Sequence, residues 1–187
     1  MLEVEVKFPV SDWSRLHEQL ATLAAQPRGS HEEIDTYFNA LPPGRDFAQT
    51  DEALRIRRVN ADAWLTYKGP KLDAATKTRL EVEVPLGNGH RAPTDLARVL
   101  ELLGYRPVAV VRKTRQTLTL TYGGWTVNVC LDEVAEVGRF VELEVVATPE
   151  QLDAARAAVL ELAGRLGLTQ PERRSYLQLL LQRGEQG

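Results

Sequence analysis

Three short stretches of the chain set two glutamates two residues apart: Glu3 and Glu5 in LEVEVKF, Glu81 and Glu83 in RLEVEV, and Glu142 and Glu144 in VELEV. Residues i and i+2 of a strand share a face, so each pair holds two carboxylates ~7 Å apart, with valine or leucine on the other side. Such oxygen clusters suit a hard divalent cation, Mg²⁺ or Mn²⁺. The opposite chemistry stands beside them. Lys7 and Arg79 share faces with two of the glutamate pairs, and Arg55, Arg57, Lys68, Lys113 and Arg115 recur in LRIRR, LTYKGP and KTR. Clustered Arg and Lys match a polyanion. A triphosphate with its divalent metal meets both demands, because the metal relieves the acids and the phosphates relieve the cations.

The elements that must position these groups read mainly as strands, at roughly 1–9, 34–40, 53–59, 63–69, 77–85, 109–122, 125–134 and 139–147. Gly123-Gly124 between two alternating runs is a hairpin turn. It pairs Tyr122 with Trp125, Leu120 with Val127 and Arg115 with Asp132, so a polar face ends in a charge cluster with Lys113 two residues on. A second hairpin, turning at Asn60 to Ala63, is expected to set Arg55 opposite Lys68 and Arg57 opposite Thr66. Four helices accompany the strands. They are expected at 12–25 behind a Ser11 cap, at 95–103 behind Thr94, after Thr148-Pro149 with Gln151 completing a capping box, and near 172–182. Eight strands with amphipathic helices read as an α+β fold; if the sheet closes, the apolar faces point outward under the helices and the charged faces line a lumen.

The 187 residues, 43% hydrophobic and 26% charged, fit one soluble domain spanning 1–187. A net charge of −3 leaves no basic excess for a nucleic-acid polymer, so any anion site is local. Cys130 is the single cysteine, which excludes an internal disulfide and fits a reducing compartment, the cytoplasm. No apolar run reaches the ~18 residues of a membrane span. His17, His31 and His90 are scattered, and no GxGxxG or GxxxxGK[ST] loop is present.

Taken in order, Glu3-Val4-Glu5-Val6-Lys7, DTYF at 35–38, LRIRR at 54–58, LTYKGP at 65–70, RLEVEV at 79–84, KTR at 113–115, LDEV at 131–134 and FVELEV at 140–145 resemble the CYTH superfamily. These triphosphate tunnel metalloenzymes include class IV adenylyl cyclases and thiamine triphosphatases. The resemblance implies a closed eight-stranded antiparallel β-barrel with a charged lumen, in which Lys7, Arg55, Arg57, Lys68, Lys113 and Arg115, with Arg79, bind phosphate oxygens. It also implies that Glu3, Glu5, Asp132, Glu142 and Glu144 hold Mg²⁺ or Mn²⁺, with Glu81 and Glu83 as further acids, and that Glu3, Glu5 and Lys7 form the catalytic group. RRSY offers Arg174 where the family often has a lysine.

The stretch at 45–57 leans toward the class IV cyclase branch, which converts ATP to cyclic AMP and pyrophosphate. The alternative is a triphosphatase acting on inorganic, thiamine or nucleoside triphosphate. A non-catalytic polyphosphate- or nucleotide-binding module is a third reading, and an open sheet whose charges simply face water is the plainest. The partner is thus a small triphosphate, with a homodimer allowed by the sequence.

Overall fold

The computed structural model describes residues 2–72 and 76–184. Eight strands are present: β1 (Leu2–Pro9), β2 (Gln26–Ala40), β3 (Ala53–Val59), β4 (Asp62–Lys68), β5 (Glu81–Asn88), β6 (Tyr105–Tyr122), β7 (Trp125–Val134) and β8 (Gly138–Ala147). They form one sheet in the order β1-β8-β7-β6-β2-β3-β4-β5, antiparallel at every pairing. The sheet curls until its two edges meet, as the expected barrel requires. Their seam is not a regular ladder: a single bridge joins Glu3 to Arg79, and the Lys77 amide donates to the Glu5 carbonyl at 2.9 Å.

Alternation decides which face is dry. Val4, Val6 and Phe8 of β1, Val127 and Val129 of β7, and Val141, Leu143 and Val145 of β8 are buried together on the outside of the barrel. Helix α3 (Leu152–Arg165) covers them with Ala155, Val159 and Leu162, and α1 (Ser14–Thr22) adds Leu16 and Leu20. Thr148 and Gln151 form the expected capping box ahead of α3. Helix α2 (Arg91–Leu102) closes a second cluster around Leu54, Ile56 and Leu100. Helix α4 (Tyr176–Gly184) sends Tyr176 into a third cluster with Tyr37, Val111 and Phe140.

The Gly123-Gly124 hairpin has the expected register throughout, with both glycines at positive φ, 56° and 82°. The second hairpin differs. Asn60, at φ 54°, makes a tight turn with Ala61, so Val59 meets Asp62 and Arg55 lies opposite Thr66, two residues from the expected Lys68. Asn tolerates the left-handed region, which lets the strands pair one step closer to the turn. A shift of two preserves the face, so both arginines still point into the lumen.

Other boundaries moved for physical reasons. β2 begins at Gln26 rather than 34 because its polar first half is held by pairing with β6 from Thr119 onward, with no apolar alternation to announce it. α2 starts a turn before Thr94, whose hydroxyl instead donates to the His90 carbonyl at 2.7 Å. Pro93 is tolerated there because the first turn of a helix has no amide bonds to lose. Ser11 does not cap α1; Asp12 accepts the Ser14 amide at 2.8 Å. Residue 1 of the expected first strand lies outside the described residues. The outward face from Leu80 into the start of β5 is also bare, with Leu80, Val82 and Val84 about half exposed where helices were expected, while Leu86 packs against the cluster under α2.

The covering role of α3 predicts a sharp contrast. Leu162→Ala, at a fully buried position, is expected to lower unfolding stability by about 2–5 kcal/mol, whereas Leu102→Ala on exposed α2 surface should change it by under about 0.5 kcal/mol. Denaturant titration measures both, and equal effects would mean that α3 does not carry the core.

Candidate functional site

The lumen encloses a cavity of about 320 Å³, within the range of small-molecule sites. Every charged row expected from the sequence reaches it except Asp132, which lies behind it, fully buried. β1 presents Glu3, Glu5 and Lys7; β8 presents Glu142 and Glu144; β6 presents Lys113 and Arg115; β3 presents Arg55 and Arg57; β4 presents Lys68; β5 presents Glu81 and Glu83; and Arg79 enters from the seam.

Most cations are held in fixed positions by buried acids. Asp35 receives Arg57 through two bonds of 2.7 and 2.8 Å and Arg55 at 3.2 Å. Asp132 receives Arg115 Nε at 2.7 Å, Lys113 at 3.2 Å and the Tyr176 hydroxyl at 2.9 Å. Glu33 joins the two groups, lying 2.8 Å from Arg57 and 3.1 Å from Lys113. Despite burial, Lys113 and Arg57 pull the Glu33 pKa down to about 2, and Arg55 and Arg57 hold Asp35 well below the usual carboxylate range. Arg115 also meets Glu142, and Glu144 at 3.3 Å. Lys68 pairs with Glu81, while Arg79 lies 3.8 Å from Glu81.

One acidic group lacks comparable relief. Carboxylate oxygens of Glu3, Glu5 and Glu144 lie within 4.8 Å of one another. Burial, then repulsion from Glu144 and Glu81, raises the Glu3 pKa to about 8, and burial raises Glu144 as well. Three hard oxygen donors in need of positive charge fit a divalent cation of the Mg²⁺ or Mn²⁺ class. Glu5 is partly met by Lys77 at 2.7 Å, which also lies 3.8 Å from Glu142.

Lys7 is placed differently from the other cations. Its ammonium donates to the Arg174 carbonyl at 2.6 Å and lies 3.9 Å from the centre of the Tyr176 ring. Burial and repulsion from Lys77 lower its pKa to about 7. The Arg174 guanidinium points elsewhere, to Glu172 and Gln182, so RRSY contributes a carbonyl and a tyrosine rather than a charge.

The structure therefore gathers Glu3, Glu5 and Glu144 into one cluster and gives Asp132 and Glu142, grouped with them at the outset, to Lys and Arg partners. Glu83 is the most outlying acid, exposed and accepting from the Thr66 hydroxyl at 3.1 Å. Cys130 is buried and its thiol pKa is raised by that burial, which leaves it unreactive. Sequence reasoning missed Glu33, Asp35, Lys77 and Tyr176. Lys77 could have been found, since it is in phase with Arg79 and Glu81. Asp35 stood in DTYF without an assigned partner, and Glu33 fell just outside the expected strand.

A model of the CYTH domain matches residues 1–176. The chain belongs to the CYTH family. Members of this family are enzymes that bind triphosphates and use divalent metals. A Methanocaldococcus jannaschii protein named as a candidate adenylate cyclase is 33% identical over 182 residues, covering 96% of this chain and 98% of that one. The structure of the PH1819 protein of Pyrococcus horikoshii is similar at a TM-score of 0.83 and 36% identity, over 97% of this chain and 99% of that one. A Hippeastrum candidate adenylyl cyclase, described as having a dominant triphosphatase activity, shares the fold at a TM-score of 0.67 and 15% identity, over 97% and 95% of the two chains. Among the described residues, no helix is long and apolar enough to cross a membrane.

The strained acid cluster has a pH signature. Folded Glu3 keeps its proton up to about 8, whereas an unfolded chain releases it near 4.5. Between those values the unfolded state binds fewer protons, so stability without metal declines as pH rises. Lys7 has the opposite slope only above its value of about 7. In chelator, Glu3→Gln is therefore expected to gain stability over the native chain between about pH 5 and pH 7, by at most ~1.4 kcal/mol per pH unit. Parallel melting curves for the two proteins across that range would contradict the assignment.

Proposed function

We propose that this protein is a divalent-metal-dependent enzyme that breaks a phosphorus–oxygen bond of a triphosphate bound in its barrel, and that it acts as an adenylate cyclase on ATP. The supporting observation is that one cavity joins an undercompensated acid cluster, Glu3, Glu5 and Glu144, to Arg and Lys side chains held by buried carboxylates. The cyclase assignment draws on the relative of that name at 33% identity.

Glu3, Glu5 and Glu144 would hold the cation, which when bound supplies Lewis-acid polarisation of phosphoryl oxygens. The protein's own groups do the rest. Arg55 and Arg57, fixed by Asp35, and Lys113 and Arg115, fixed by Asp132, offer donors that need no reorganisation as charge develops on phosphate oxygens. Lys68 and Arg79 extend this lining. Lys7, with a pKa of about 7, has a neutral fraction at ordinary pH and takes the proton of the attacking hydroxyl. In cyclisation the 3′-oxygen bonds to the α-phosphorus, the bond from that phosphorus to the bridging oxygen breaks, and pyrophosphate leaves with the electron pair. With water attacking the γ-phosphorus instead, the same groups would make a triphosphatase.

Incubation with ATP or inorganic triphosphate and Mg²⁺ or Mn²⁺ tests this. The expected products from ATP are cyclic AMP and pyrophosphate in equal amounts, abolished by chelator, with Lys7→Met lowering kcat by about 10²- to 10⁴-fold. Orthophosphate in their place would assign a triphosphatase. No turnover of any triphosphate would overturn the enzymatic reading and leave a binding module.

A further inference from the structure

Lys77 lines the lumen on its acid side, away from the cations held by Asp35 and Asp132. Its main chain is fixed at the seam without help from its side chain: its amide donates to the Glu5 carbonyl at 2.9 Å, the Thr78 carbonyl accepts from the Leu72 amide at 2.8 Å, and Arg79 bridges to Glu3. The buried ammonium then turns onto two acids, 2.7 Å from Glu5 and 3.8 Å from Glu142. In the ladder between β1 and β8, Glu144 lies opposite Glu5 and Glu142 opposite Lys7. The pair Glu5 and Glu142 is therefore the next step along the wall from the cluster of Glu3, Glu5 and Glu144, and Glu5 belongs to both.

Two divalent ions that act together sit about 3.5–4 Å apart, a spacing that one carboxylate spans with its two oxygens. Glu5 has the position of such a shared carboxylate, but an ammonium already stands on one side of it. Charge points the same way. Glu3, Glu5, Glu142 and Glu144 bring four negative charges when ionised, Arg115 and Lys77 meet two of them, and what is left equals the charge of one divalent ion. Lys7 does not alter this balance by contact, since its ammonium donates to the Arg174 carbonyl. Resting on the metal-dependent reading above, we infer that Lys77 is a tethered stand-in for a second cation, so that the barrel takes one divalent ion on Glu3, Glu5 and Glu144 rather than a bridged pair. An ammonium supplies charge and N–H donors but no open coordination position, so Lewis-acid polarisation would come from one side only.

Titration of the full chain with Mn²⁺ alone, with bound ions counted from the paramagnetic signal, tests this without any turnover. The native chain is expected to bind one ion and Lys77→Met two, the second spin-coupled to the first as ions a few ångströms apart must be. Lys77→Gln, which keeps an N–H donor for Glu5 and drops only the charge, repeats the count should the methionine variant not fold. A coupled pair on the native chain overturns the inference by itself. Variants that still take one ion, or a second ion uncoupled from the first, overturn it as well. If the native chain takes no ion, the metal-dependent reading itself fails.

Discussion

Charge removed from water must be met by opposite charge close by, and this barrel is organised around that requirement. An ion in a protein interior costs several kcal/mol unless paired and hydrogen-bonded. Here Asp132 and Asp35 sit under the lumen and each takes more than one cation, so Lys113, Arg115, Arg55 and Arg57 all have an acid partner at close range. Removing either aspartate would strand two cations at once. The apolar shell serves the same end, since only a barrel dry on its outside can hold the inward rows in register.

The compensation is deliberately unequal around the wall. On the β2, β3, β6 and β7 side, acids and bases pair with one another, and Glu33 and Asp35 titrate low. On the β1 and β8 side, three carboxylates crowd together, and two of them titrate high. On the proposed function, one side would cradle the anion and the other would take the cation. A metal-bound triphosphate, the proposed ligand, would bring both ions in one object. The irregular seam between β1 and the segment at 77–79 brings Lys77 and Arg79 to the place where the two halves meet.

Much of this was legible in the sequence because strand alternation is a two-residue code. Glu3, Glu5 and Lys7, or Lys113 and Arg115, had to share a face whatever their partners, and Gly123-Gly124 fixed the register that joins Arg115 to Asp132. What alternation cannot carry is distance across the barrel. The hairpin sets Asp132 opposite Arg115, and only the fold shows the Tyr176 hydroxyl reaching it from α4. Glu33 was hidden because the first half of β2 is polar on both faces, so its strand exists only through pairing with β6. The Asn60 turn moved a register by two residues because a tight turn and a longer one share the same local sequence. The bare outer face at the start of β5 went unforeseen for a related reason, since helix count says nothing about which strand each helix covers.

Thermal unfolding of the native chain under four conditions bears most directly on this scheme: alone, with Mg²⁺, with tripolyphosphate, and with both. If the lumen joins a prearranged row of cations to an undercompensated acid cluster, the pair together should raise the melting temperature by more than the separate shifts combined, about 5–10 °C at concentrations near a hundred times Kd. Absence of any shift with the pair, or a shift equal to that of Mg²⁺ alone, would contradict it.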